Sequence, residues 1–113
     1  MGHHHEVQTA LREPYRELGE LVPGVTEAFG QLAKAAFAEG ALPASVKELM
    51  GLVVAIVDGC DGCLAAHARG AARRGATRQE VAEAIGVAIA MRGGPATVWG
   101  PRALEAFDEF SKA

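Results

Sequence analysis

The run Leu52-Val53-Val54-Ala55-Ile56-Val57 decides what this chain can fold into. Its β-branched residues suit a buried strand. Read together with Ser45 to Met50, it becomes a helix of about 15 residues, apolar nearly all round, of the kind that lies in a core or at a subunit interface. A strand needs partners, and no other segment supplies a convincing one. The rest of the chain carries a helical period. Val25, Ala28, Phe29, Leu32, Ala36 and Phe37 recur at steps of three and four, as do Val81, Ile85, Ala88 and Ile89. A third set is Ala96, Trp99, Ala103, Ala106, Phe107 and Phe110, interrupted by Gly100-Pro101, and so predicts two helices or one kinked helix.

Breaks fall where helix ends belong. Gly40 precedes Leu42-Pro43, Gly75-Ala76-Thr77 carries a T-x-x-E capping box with Glu80, and Gly93-Gly94-Pro95 stops one helix before the next. Pro14 interrupts Val7, Leu11, Tyr15 and Leu18, which predicts only a short helix over about residues 13–20. A strand leading into Cys60-Asp61-Gly62-Cys63 would be a thioredoxin-like arrangement, but the missing strands exclude that sheet. The expectation is an all-α domain of about five to six helices.

With 113 residues, half of them hydrophobic and 22% charged, the chain reads as a single globular domain over residues 6–113. Met1-Gly2-His3-His4-His5 resembles an expression-tag remnant and is set aside. Net charge is −3, and no basic face speaks for nucleic acid. Arg69, Arg73, Arg74 and Arg78 read as a solvated helix face and its exit rather than an anion patch. The longest apolar run, Leu49 to Val57, falls far short of the roughly 18 residues a membrane span needs. The expected location is the cytoplasm. Ordinary thiols stay reduced there, so Cys60 and Cys63 point to redox chemistry or metal rather than to a structural staple.

Asp58-Gly59 ends one helix, and Cys60, Cys63 and His67 then share one face of the next. The positive end of that helix favours a thiolate. His67, one turn inside, is placed to take a proton. If the two helices run antiparallel about the turn, Glu48 and His67 differ by roughly 3 Å along the axis, so a carboxylate can orient the imidazole. Each residue alone has a plainer reading. Ser45 with Glu48 fits a capping box, His67 fits a core histidine, and the cysteines fit small buried hydrophobes. Zinc would use Cys60, Cys63 and His67, with Glu48 or Asp61 as a fourth ligand, but the second cysteine pair of a closed site is missing. No metal or other cofactor is expected. A c-type haem would need histidine where Leu64 stands.

Glu48, eleven residues, Cys60-Asp61-Gly62-Cys63, three residues and His67 resemble the E-x11-C-x-x-C-x-x-x-H signature of the alkylhydroperoxidase D branch of the carboxymuconolactone decarboxylase-like family. The flanks Lys47-Glu48-Leu49, Gly75-Ala76-Thr77 with Glu80, and Met91-Arg92-Gly93-Gly94-Pro95-Ala96 extend the resemblance over most of residues 25–110. It implies an all-helical fold assembling as dimers, trimers or hexamers, and thiol-dependent reduction of a hydroperoxide substrate. Carried over by position, Cys63 matches the attacking cysteine, Cys60 the resolving one, and Glu48 and His67 the proton relay. A thiol or lipoyl-type reductant would restore the dithiol. Gly62 stands where some peroxidase members carry a histidine. The alternatives are a dithiol–disulfide oxidoreductase, a decarboxylase-like enzyme using the same pocket, and a non-enzymatic or zinc-binding helical oligomer. Leu64, Ile56 and Trp99 are the expected apolar walls for an organic hydroperoxide. The apolar runs Leu49–Val57 and Val87–Met91 are more than a small monomer easily covers, which independently points to a homo-oligomer.

Overall fold

The computed structural model describes residues 2–112 and contains six helices among them. They are α1 (His3–Leu21), α2 (Pro23–Ala36), α3 (Ala44–Asp58), α4 (Asp61–Arg73), α5 (Arg78–Arg92) and α6 (Ala96–Ser111). The ambiguous run Leu52–Val57 is therefore helical, inside α3. Helices α3 to α6 pack on one another around the core, α1 lies across α4 and touches α6, and α2 packs against α1 alone.

The core is built largely from alanines and a few large side chains. Leu52, Ile56, Leu64 and Val81 are fully buried among Ala65, Ala68, Ala88 and Ala103, with Phe107 and Phe110 closing one side. Small residues let helix axes approach closely, so α4 can pass between α3 and α6. Gly100 shows the tightness of the fit, since a Cβ there would lie 2.7 Å from Ile85 Cγ2. This contact accounts for the glycine at 100. Helix α6 runs unbroken through Gly100-Pro101.

Local signals account for most helix ends. Thr77 and Glu80 form the reciprocal capping box at the start of α5. Gly59, at φ 67°, ends α3 in the left-handed conformation, with Cys60 N–H donating to Ala55 O at 3.1 Å. The Ser45–Glu48 capping box does not form. Pro43 occupies the N-cap of α3, and Ala44 N–H donates to Glu39 Oε2 at 3.0 Å instead.

The N-terminal part is a correction. A short helix over 13–20 was expected, but α1 starts at His3 and passes through Pro14. The proline removes one ladder bond and strains against the carbonyl one turn earlier, a cost of about 3 kcal/mol or more. Ala10 and Pro14 are both exposed, so the freed carbonyl can meet water. Docking holds the helix together on the near side of the proline. Residues 3–5, set aside above, form its first turn, and His4 is buried. His4 Nε2 pairs with Glu105 Oε1 at 2.9 Å, and Glu109 Oε2 accepts from His5 N–H at 2.7 Å and meets His5 Nδ1 at 2.5 Å. Two of the four clustered arginines also have partners. Arg69 donates to Gln8 Oε1 at 2.8 Å, and Arg78 forms a two-pronged pair with Asp108 at 2.9 and 3.1 Å. Among the described residues no helix is long and apolar enough to cross a membrane.

This clasp of His4 and His5 on Glu105 and Glu109 has a pH signature. Burial raises the Glu109 carboxyl, but hydrogen bonds from the His5 backbone and ring and from the His4 backbone, with the His4 charge, outweigh it and hold the carboxyl below its ordinary 4.5. Stability from such a group is present above the unfolded value and is lost as pH falls through the lower folded one. Acidification from about pH 6 to about pH 3 should therefore release the amides of residues 4–8 to hydrogen exchange before those of α3 to α6. Glu109→Gln should leave these amides weakly protected at both pH values. Equal protection of wild type and variant would show that the clasp does not hold α1.

Candidate functional site

Helix α4 begins at the cysteines. Cys60 is its N-cap residue, with Sγ accepting from Cys63 N–H at 3.2 Å, and Cys63 sits in the first turn. The two are disulfide-bonded, with Cα atoms 5.3 Å apart. Their environments differ, Cys63 being exposed and Cys60 half-buried. The positive end of the helix lies at the Cys60 sulfur, while Asp61 in the first turn takes up part of that field.

One turn further along α4, His67 meets Glu48 of α3. Nδ1 of His67 lies 2.9 Å from Glu48 Oε1, as the count through the turn predicts. An ionised carboxylate only accepts, so Nδ1 carries the proton of this bond and Nε2 is left for other chemistry. Glu48 is mostly buried, its side chain 12% exposed, and His67 is 26% exposed. The pair is thus shielded enough for the bond to fix the ring, yet open at one side. All four expected residues lie on the α3–turn–α4 unit: the cysteines are joined to one another, and Glu48 is joined to His67.

Three further residues shape the site, and reasoning from sequence missed their roles. A Cβ on Gly51 would lie 2.8–2.9 Å from the His67 ring, and one on Gly70 would overlap the Glu48 carboxylate, 2.7 Å from its Oε1. The glycines are reciprocal. Gly51, three residues after Glu48 on α3, makes room for His67, while Gly70, three residues after His67 on α4, makes room for Glu48. A signal was present, because both glycines sit inside helices, where glycine costs about 1 kcal/mol relative to alanine. The third residue is Phe37, just beyond α2, whose ring stacks on His67 with centroids 5.1 Å apart and planes 19° apart. Lys47 Nζ donates to Ala38 O at 2.7 Å and ties down the segment that carries this ring.

An apolar groove of about 310 Å³ opens beside this stack, lined by Phe37, Leu42, Met50, Gly51 and Val54. The walls differ from those expected. Leu64 and Ile56 are fully buried core residues, and Trp99 packs beside Gly59, 3.1 Å from where a Cβ there would stand. A larger groove, about 480 Å³, runs along the outer face of α6 between Pro101 and Lys112 and touches none of the four site residues. Among the described residues no three histidine, cysteine, aspartate or glutamate side chains are grouped as metal ligands would be.

A bonded cysteine pair at a helix start, with a carboxylate-oriented histidine one turn inside, marks an all-helical protein equipped for thiol redox chemistry. Residues 23–109 match the sequence profile of the Carboxymuconolactone decarboxylase family, and the chain belongs to that family. It is similar to an uncharacterized protein of Cupriavidus necator, 39% identical over 100 residues that make up 88% of each chain. It is also similar to the uncharacterized protein 4 in the cox locus of Paracoccus denitrificans, 42% identical over 89 residues, 79% of this chain and 80% of the other. The fold matches the crystal structure of apo-lpg0406, a carboxymuconolactone decarboxylase family protein from Legionella pneumophila. The TM-score is 0.92, with 33% identity over 96% of each chain.

The reciprocal glycines give a direct test. Gly70→Ala gains about 1 kcal/mol of helix propensity but overpacks the site by a comparable 1–3 kcal/mol, so global stability should change little. The flexible Glu48 carboxylate is the group that yields. Nitrogen-15 NMR of the His67 imidazole should show a hydrogen-bonded Nδ1–H in the wild type and its loss in Gly70→Ala. Retention of that signal in the variant would mean the glycine does not position Glu48.

Proposed function

We propose that this protein is a thiol-dependent oxidoreductase of the alkylhydroperoxidase D type that reduces hydroperoxides. The observation that carries the reading is the pairing of a disulfide-forming C-x-x-C at the start of α4 with the Glu48–His67 hydrogen bond one turn inside. In the reduced protein, His67 Nε2 takes the Cys63 thiol proton, and the Glu48 carboxylate stabilises the resulting imidazolium. The Cys63 thiolate attacks the distal peroxide oxygen. The O–O bond breaks, Cys63 becomes a sulfenic acid, and the departing alkoxide takes the proton from His67. Cys60 then attacks Cys63 sulfur, the S–O bond breaks, and water leaves as the disulfide forms. Two electrons from a thiol or lipoyl-type reductant restore the dithiol. Exposure of Cys63 and partial burial of Cys60 favour this division of roles.

In stopped-flow mixing of the reduced protein with hydroperoxide, Cys63→Ser should abolish the fast phase. Glu48→Gln and His67→Gln should each slow it by about 10²–10⁴-fold, the usual worth of a positioned acid–base group. A fast phase that survives Cys63→Ser would overturn the assignment. Rapid disulfide exchange with negligible peroxide turnover would select the dithiol–disulfide oxidoreductase, which the exposure of Cys63 also suits.

The same reading includes a homo-oligomer. Helix α2 buries none of its residues in the single chain, and Val25, Phe29 and Leu32 on one of its faces are 66%, 63% and 65% exposed. A 14-residue helix resting on one neighbour gains little from propensity alone, so its apolar stripe calls for a cover. A second copy of the chain is the occupant we assign. Light scattering after size exclusion should give a multiple of 11.7 kDa for the wild type and a smaller species for Phe29→Glu. A monomeric wild type would remove this part of the reading.

A further inference from the structure

Helix α2 meets its own chain on one side only. Thr26 and Ala33 on that side are half-buried, and Thr26 lies against α1, where a Cβ on Gly19 would stand 3.3 Å from its Oγ1. Phe37, one turn past Ala33, continues the same side. Its N–H donates to Ala33 O at 3.0 Å, so the ring stacked on His67 is tied to the last turn of α2. About a quarter turn around the helix, Val25, Phe29, Leu32 and Ala36 form a row that is exposed along its whole length. The row does not stop at the helix end. Ala36 is also a wall of the groove beside His67, and Leu42, Met50 and Val54 in the same groove are each about half exposed. With Val25, Phe29 and Leu32 these side chains present on the order of 600 Å² of apolar surface. That is the upper end of what a monomer leaves open, and most of the roughly 800 Å² that each partner of a stable complex buries.

The row is also its own complement. Its spacing, four then three then four, reads the same in both directions, as a two-fold contact between antiparallel copies of one helix requires. Centred between Gly30 and Gln31, such a contact sets Phe29 against Leu32 of the partner subunit and Val25 against Ala36 of the partner subunit. Neither face carries a charge, because Glu27 and Lys34 lie on the opposite side of the helix, so an acidic or basic partner would find nothing to pair with. We propose that a second copy of the chain pairs with α2 in this way and closes the groove beside His67, so that the site is complete only in the assembled protein. Such a pair is a specific form of the homo-oligomer assigned to this chain and rests on that reading. Beyond Ala36 the groove meets the partner's α1–α2 turn, where Leu21 is 80% exposed, and the partner's Leu21 is the side chain it receives. Pairing then clamps the last turn of α2 and, through Phe37, the His67 ring.

The test uses oligomers mixed from isotope-labelled and unlabelled full-length chains. Nuclear Overhauser effects between copies should link the Phe29 ring to the Leu32 methyls, and Leu21 to Met50. Phe29→Glu should give a smaller species in light scattering, lose these contacts and broaden away the hydrogen-bonded Nδ1–H signal of His67. Phe37→Leu should broaden away the same signal while keeping the wild-type mass. An unchanged Nδ1–H signal in folded, dissociated Phe29→Glu would show the site to be complete in one chain and overturn the proposal. The wild-type measurement stands without any variant. An oligomer lacking these contacts assembles through another face, which overturns the pairing and leaves the homo-oligomer in place; shifts of the Met50 and Val54 methyls on adding octanol would then assign the groove to a small apolar ligand. A monomeric wild type would remove both the pairing and the homo-oligomer, while the thiol redox reading would stand.

Discussion

The Glu48–His67 hydrogen bond is the contact on which the arrangement of the site depends. It joins α3 to α4 across their interface, 19 positions apart in sequence, and so requires the two helices to run antiparallel at the right register. Gly59 sets that register by turning the chain in two residues, with Cys60 N–H reaching back to Ala55 O. The absence of side chains at Gly51 and Gly70 lets the pair fit between the helices. The same turn puts Cys60 at the N-cap of α4, so a single short connection fixes both the cysteine pair and the Glu48–His67 pair. The site therefore needs no mobile element to bring the four residues together. It comes with the packing of two helices whose inner faces are largely alanine and leucine.

Much of this was legible because it is local. The period of three and four, the Gly59 break and the T-x-x-E box are statements about neighbours in sequence, and the helices formed where they pointed. Glu48 was reachable by counting because an antiparallel helix pair with a short turn has one free parameter, the register. What was not legible depended on distant packing. Pro14 argued for a short first helix, and nothing near it revealed that His4 and His5 would meet Glu105 and Glu109, about 100 residues away. Leu64 and Ile56 were expected to line a pocket, but their positions on the inner faces of α3 and α4 bury them completely, and the open groove falls instead beside Phe37 and Met50. Hydrophobicity alone does not distinguish a wall of the core from a wall of a groove.

Helix α2 shows the same limit from the other side. Its apolar period identified a helix correctly, but the period does not say what the face packs against. In the single chain the stripe through Phe29 and Leu32 remains open, while Phe37, immediately past its end, reaches the His67 ring. A partner on α2, as proposed above, would press on a helix whose last turn leads directly to a wall of the site. A change at Phe29 is expected to be felt at His67 through Phe37, not only in assembly.

The two cysteines are not equivalent, and the difference follows from where α4 starts. An N-cap sulfur receives a backbone N–H, which a sulfur inside the first turn does not, so the helix stabilises negative charge on Cys60 as a leaving group. Cys63 has the exposure and the histidine on its face of the helix. In the proposed cycle, oxidant and reductant converge on the same sulfur, Cys63, while Cys60 closes the bond in one direction and departs in the other. If both reactions use Cys63, selectivity among partners has to come from what borders it. The groove beside His67, walled by Phe37, Met50 and Val54, is one such border.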